Sequence, residues 1–209
     1  IAEVKRSSPS KGDLAPITDP AALAEKYQEA GAAAVSVLTE QRRFGGSLQD
    51  FSEVRSRVSI PMLRKDFIVN EYLVRESRAY GADLLLLIVA ALDDAQLQDF
   101  YTLAQELGMK VLVEVHNLEE LERAMRISPE IIGVNARNLK TLEIDLAAFS
   151  RLIPMIPADV IRVAESGISQ RSEVEIAHNA GAQAILVGET LVKSGDPRQA
   201  IDQLLGRTK

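Results

Sequence analysis

The sequence predicts an α/β chain folded as a single (β/α)8 barrel. Strand-like and helix-like segments alternate strictly through eight units between Ile1 and Leu205, a pattern that demands a parallel sheet. Glycine recurs between a helix and the next strand, at Gly31, Gly81, Gly108 and Gly181. The units are near equal, no Gly-x-Gly-x-x-Gly follows the first strand, and no linker or low-complexity tract interrupts them. Those features favour closure into a barrel over an open doubly wound sheet. One domain over residues 1–209 sits at the lower end of the barrel size range.

Residues 1–5 read as the first strand, with Glu3 and Lys5 on one face because strand side chains alternate. Residues 6–13 are turn-rich and expected to be mobile. Thr18-Asp19-Pro20 opens a helix with proline at its first position, and Gly31 stops it after Ala30. Residues 33–38 form the second strand, residues 39–47 a polar loop carrying Phe44-Gly45-Gly46, and residues 48–57 a helix. The third strand is Ile60-Pro61-Met62-Leu63-Arg64-Lys65-Asp66-Phe67. Proline suits its first position, where a missing N–H costs least. Leu63 and Lys65 share one face there, and Arg64 and Asp66 the other. A helix runs from Glu71 to near Tyr80, and the fourth strand, 83–89, is apolar throughout, as a strand covered on both faces must be. The pattern then gives a helix from Asp93 to Leu107, strand 110–115, helix 118–126, strand 130–135, a long loop and a short helix at 146–152. Strand 160–164, helix 169–180, strand 183–187 and helix 198–205 complete it.

Composition excludes several classes. Lys plus Arg is 24 against 30 Asp plus Glu, a formal charge of −6. That balance argues against general nucleic-acid binding while leaving room for a local phosphate site. With no cysteine, disulfides and thiolate metal sites are excluded. The two histidines, His116 in a loop or at a helix start and His178 on a helix surface, are too few for a histidine-rich metal site. Neither is a catalytic candidate. The longest apolar run, 84–92, is too short to span a bilayer, and no secretion signal opens the chain, so a cytoplasmic protein is expected. The first residue is Ile1 rather than Met, as expected of a partial or trimmed chain.

Barrel chemistry sits at the C-terminal ends of strands. The polar residues there are Glu3, Lys5, Lys65, Glu114, Asn135 and Ser166. Alternation pairs Leu112 with Glu114, Gly133 with Asn135 and Ala164 with Ser166 as inward positions. Val111, Val113, Val115, Val134 and Val163 then face the helices. Each residue alone has a plainer reading. Glu3 and Lys5 make a simple ion pair, Lys110 serves stability, and Glu119-Glu120 is a solvated first helical turn. Convergence of several charged strand ends on one mouth is what points to function, because an inward charge is costly unless paired or used. Two glycine loops, Glu165-Ser166-Gly167-Ile168 and Val187-Gly188-Glu189-Thr190, follow the last two strands, where barrels bind phosphate through backbone N–H groups. Glu189 helps there only through its N–H, since its carboxylate repels an anion.

Further stretches add a specific pattern, in order and at fixed intervals. They are Ala2-Glu3-Val4-Lys5-Arg6-Ser7-Ser8-Pro9-Ser10, then Ser36-Val37-Leu38-Thr39-Glu40 with Phe44-Gly45-Gly46-Ser47, then Leu63-Arg64-Lys65-Asp66-Phe67-Ile68. Leu86-Leu87-Ile88-Val89, Glu114-Val115-His116, Gly133-Val134-Asn135-Ala136-Arg137-Asn138-Leu139 and Glu165-Ser166-Gly167-Ile168 follow. In these the chain resembles the indole-3-glycerol phosphate synthase family over essentially its whole length.

The resemblance implies decarboxylating ring closure of 1-(2-carboxyphenylamino)-1-deoxyribulose 5-phosphate in tryptophan biosynthesis, by lysine and carboxylate acid–base catalysis. It makes Lys65 the acid that protonates the developing alkoxide. Glu114, Glu3 and Lys5 become candidates for the later acid and base steps, with Asn135 orienting. Lys5 also becomes a phosphate or carboxylate ligand. Ser8, Phe44, Phe67, Arg137 and Ser166 would bind substrate, and Gly167, Gly188 and Glu189 its phosphate. No metal and no cofactor is implied. The expected partner is the small phosphorylated substrate, not nucleic acid or membrane, with the protein a monomer or associated with another tryptophan-pathway enzyme. Departures are an absent N-terminal helical extension, Ala136 where many relatives have Asn, and Leu73 where many have Gln. The competing expectations are another phosphosugar barrel, such as a phosphoribosylanthranilate isomerase, and a truncated barrel that is weakly active or a non-catalytic partner.

Overall fold

Eight parallel strands are closed into a barrel in the computed structural model, which describes residues 1–207. In chain order they are β1 (Ala2–Val4), β2 (Val35–Leu38), β3 (Met62–Lys65), β4 (Leu84–Ile88), β5 (Lys110–Val115), β6 (Ile131–Asn135), β7 (Ile161–Glu165) and β8 (Ala184–Leu186). Each strand pairs with the next in sequence. Closure comes from a parallel bridge between Ala2 and Val187, with the Glu3 N–H donating to the Val187 carbonyl at 2.8 Å.

Helices fill the connections, and their ends follow from local chemistry. Asp19 caps the helix Pro20–Glu29 by accepting from the Ala22 N–H at 2.8 Å, with Pro20 at the first position. Ser47, Asn70, Asp93 and Asn117 cap later helices in the same way. Gly81 and Gly181 leave their helices at φ 86° and 102°, the left-handed region that other residues avoid. The predicted strands and major helices are all present, with ends displaced by a residue or two.

Three local elements differ from expectation. Residues 6–13 hold a two-stranded antiparallel pair, Ser7–Ser8 with Gly12–Asp13, tied down by the Arg6–Asp50 ion pair and by the Leu14 N–H donating to the Arg6 carbonyl. The polar loop after β2 contains a single helical turn, Gln41–Phe44, capped by the Glu40 carboxylate. After β8 a short helix, Glu189–Lys193, precedes the last helix, Pro197–Leu205.

Side-chain alternation divides the interior into two apolar layers. The larger lies between strands and helices and contains Val37, Met62, Leu85, Leu87, Val111, Val113, Val115, Val134 and Ala164. The smaller, Leu63, Leu86, Ile88, Leu112, Val163 and Leu186, fills the barrel. This corrects one expectation. Val163 faces inward and Ala164 outward, so Glu165, not Ser166, carries the inward register of β7. The strand runs one residue further than its apolar run suggests, pairing Glu165 with both Asn135 and Leu186.

On the outer face of β3, Arg64 is only 2% exposed and is fully engaged. It donates to Thr39 Oγ1 (3.1 Å), Ser77 Oγ (3.2 Å), the Leu73 carbonyl (3.3 Å), Asp66 Oδ2 (3.3 Å) and Glu76 Oε2 (2.9 Å). Removing one side of such a buried ionic network strands the other. Arg64→Ala should therefore lower stability by about 3–5 kcal/mol, read as a fall in the urea midpoint at unchanged slope.

Candidate active site

The C-terminal ends of the strands surround a cavity of about 1260 Å³. Lys65, Glu114, Glu3, Lys5, Asn135, Ser8, Phe44, Phe67, Arg137, Ser166, Gly167, Gly188 and Glu189 all line it.

Lys65 is central. It is the last residue of β3, one position beyond Arg64, so its side chain enters the barrel above Leu63. Its Nζ lies 2.9 Å from Glu165 Oε2 and 3.4 Å from Glu3 Oε2. The second Glu3 oxygen meets Lys5 Nζ at 2.8 Å, and Ser36 Oγ donates to the first at 3.3 Å. Two lysines are thus bridged by one carboxylate that is 2% exposed.

Burial sets the protonation states and neighbouring charges redirect them. Burial opposes the Glu3 anion, but Lys5 and Lys65 overcome it and hold the carboxyl down at about 2. Burial likewise opposes the Lys65 cation, and Glu165, Glu3 and Glu114 raise its pKa above the usual lysine value. Glu165 goes the other way. With no exposure to solvent it is pushed up to about 7, mainly by burial and then by Glu114 and Glu3, against the pull of Lys65. Glu114 is buried too, yet lies below the ordinary carboxylate range because His116, Lys65 and the Asn135 amide favour its anion.

Space for these carboxylates comes from two glycines. A Cβ at Gly133 would lie 2.0 Å from Glu165 Oε1, and one at Gly188 would lie 2.6 Å from Glu3 Oε1. Glu165 Oε1 is buried without a hydrogen-bond partner among the described residues, as is the Ser8 hydroxyl on the cavity wall.

Around this ion cluster the remaining residues take distinct places. The Phe44 and Phe67 rings stand 6.5 Å apart at 40°, with the Arg43 guanidinium 5.5 Å from the Phe67 centroid. Asn135 Oδ1 accepts from the Arg137 N–H at 3.0 Å, and Arg137 Nη1 donates to the Leu142 carbonyl at 2.9 Å. Ser166 adopts φ 67°, in the left-handed region that costs a non-glycine residue energy. Gly188 opens the Glu189–Lys193 turn, and the Glu189 carboxylate is occupied by Lys193 Nζ at 2.8 Å.

Glu165 is the residue that sequence reasoning missed. With Val163 assigned to the helix side and the apolar run ending at Ala164, Glu165 reads as part of a phosphate loop, whereas Val163 faces inward and carries Glu165 inward with it. His116 and Glu120 are also more than loop and solvated-turn residues, since they form a contact behind Glu114. Lys110 pairs with Glu130 at 2.6 Å at the far end of β5, outside the site.

Residues 1–204 match the family described as indole-3-glycerol phosphate synthase. The chain belongs to the indole-3-glycerol phosphate synthase family. It is 58% identical over 205 residues to the indole-3-glycerol phosphate synthase of Mycolicibacterium smegmatis, covering 98% of this chain and 75% of that one. It is 59% identical over 206 residues to that of a Nocardioides species, covering 99% and 79%. Among solved structures, a 3-hexulose-6-phosphate synthase superposes with a TM-score of 0.73 at 17% identity, covering 100% of this chain and 99% of that one. Thiamine phosphate pyrophosphorylase from Pyrococcus furiosus gives 0.72 at 15% identity over 98% and 92%. These last two likenesses concern the fold alone. The family's reaction is the activity of this chain, which is a carbon–carbon lyase of tryptophan biosynthesis acting on a small phosphorylated substrate. No helix among the described residues is long and apolar enough to cross a membrane.

The Gly133–Glu165 contact gives a direct test. Gly133→Ala should displace the Glu165 carboxylate from Lys65 and lower kcat by about 10²-fold or more, the scale of losing an acid–base group. Circular dichroism should still report a folded barrel.

Proposed function

We propose a division of labour among the charged residues in which Lys65 supplies the proton for ring closure and Glu165 replenishes it. Carbon–carbon bond formation at the ketone generates an alkoxide, far more basic than any amine. A lysine with a raised pKa is therefore still a competent donor, and is fully protonated when needed. The 2.9 Å contact between Lys65 Nζ and Glu165 Oε2 is the observation that carries this reading.

The proton balance supports it. Ring closure and loss of hydroxide as water each consume a proton, while restoration of the indole ring releases one. With carbon dioxide leaving from a carboxylate, one proton is taken up per turnover. Glu165, poised near neutrality beside the donor, is suited to deliver it. Glu114, held as an anion, then takes the ring-restoring proton. Glu3 stays ionised and fixes both lysines.

Substrate placement follows from the cavity walls. Phe44 and Phe67 offer an apolar wall for the aromatic ring, and Ser8, Arg137 and Ser166 offer polar contacts. Gly167, Gly188 and the backbone of Glu189 receive the phosphate with Lys5 nearby, the Glu189 carboxylate being drawn off by Lys193. The enzyme works in the cytoplasm, where a phosphorylated substrate is retained, as a monomer or beside another enzyme of the pathway. Neither a metal nor an organic cofactor enters these steps.

Turnover of 1-(2-carboxyphenylamino)-1-deoxyribulose 5-phosphate, followed by indole fluorescence, tests the assignments. Lys65→Ala should cost at least about 10²–10⁴-fold in kcat, and full activity would remove Lys65 from the mechanism. Because Glu165 must carry a proton, kcat/KM should fall as pH rises through about 7. That limb should vanish from the residual activity of Glu165→Gln.

A further inference from the structure

His116 follows β5 directly, and its side chain is only 10% exposed, yet it does not line the cavity. Local sequence explains its placement. Asn117 caps the helix Leu118–Met125, which puts Glu120 in the first turn and folds its carboxylate back over the end of the strand. Glu120 Oε2 accepts from the His116 backbone N–H at 2.8 Å and lies 2.9 Å from His116 Nδ1. Glu120 Oε1 is held by the Asn117 side-chain amide at 2.7 Å. The imidazole is clamped from one side. On the other, its buried Nε2 lies 3.2 Å from Glu114 Oε1, off the line of a good hydrogen bond but within ion-pair distance.

An imidazole with a carboxylate at each nitrogen is satisfied only when both nitrogens carry protons, because the neutral ring would turn a lone pair toward an anion. We propose that His116 is a positioning residue, an imidazolium clamped by Glu120 that keeps Glu114 ionised as the base of the reaction. The proposal rests on the role given to Glu114 above.

The charges around the pair agree with it. Burial disfavours the His116 cation, but Glu114 and Glu120 outweigh it and raise the group to about 9. Burial pushes Glu114 up, and His116 together with Lys65 from β3 pulls it down. Glu120 is itself held low chiefly by His116 against burial. Arg123, on the same helix, turns away to Asp94 at 2.6 Å and to the Val89 and Leu92 carbonyls. Glu119 is exposed to solvent.

The chain has two histidines, and His178 is exposed on a helix, so their nitrogen NMR signals separate readily. At pH 7.5 both His116 ring nitrogens should be protonated, with titration near 9. Glu120→Gln should lower that midpoint by about one unit or more. In kinetics, His116→Gln should move the acid limb of kcat/KM up by about one pH unit, roughly a tenfold loss below it. His116→Lys, which keeps a cation, should return the limb toward its original position. A neutral His116 at pH 7.5 would overturn the proposal. So would a His116→Gln profile that is uniformly lower with its acid limb unmoved. An error in the role of Glu114 would show differently, as full turnover by Glu114→Gln with the NMR titration of the parent chain still near 9.

Discussion

A single ammonium inside the barrel mouth, that of Lys65, governs the arrangement around it. An isolated charge above a floor of Leu63, Leu86, Ile88 and Leu112 would be strongly disfavoured. Glu3 and Glu165 approach it directly, and Glu114 acts from further off. Three carboxylates around one cation cannot all be equally comfortable as anions. The two with a second positive neighbour, Glu3 beside Lys5 and Glu114 beside His116, stay ionised, and Glu165, which lacks one among the described residues, becomes the proton-holding member. Distinct protonation behaviour thus arises from one residue type through differences in partners.

The same strand that delivers Lys65 inward delivers Arg64 outward. Arg64 is the largest fully buried side chain among the described residues, and four of its five contacts join β3 to Thr39 and to the helix Glu71–Ala79. Adjacent cations therefore serve separate ends. One fixes the strand against its helix and the other faces the cavity. Strand geometry keeps the two apart, because neighbouring side chains leave opposite faces.

Most of the fold was legible because its signals are local. Alternating strands and helices, helix-stop glycines and capping residues each act within a few positions. The inward register of Lys65, Glu114 and Asn135 followed from apolar alternation on β3, β5 and β6. On β7 the observed register is one residue out of step with that alternation. Val163 and Ala164 are both apolar and do not declare a face, and only contacts with β6 and β8 decide between them. The Ser7–Ser8 hairpin and the Gln41–Phe44 turn depend on partners distant in sequence, such as Asp50 for Arg6. The His116 clamp was hidden for another reason. Glu120 at a helix start has a sufficient explanation in the helix dipole, which masks its second bond.

The void left by the missing side chain at Gly133 ties two positions far apart in sequence into one steric unit. The carboxylate of Glu165 occupies the volume that any larger residue at 133 would claim. Neither position can drift alone, since enlarging the first evicts the second and shortening the second leaves a hole beneath the cation. Across descendants of this barrel the two should vary together, as a covarying pair recorded on neighbouring strands.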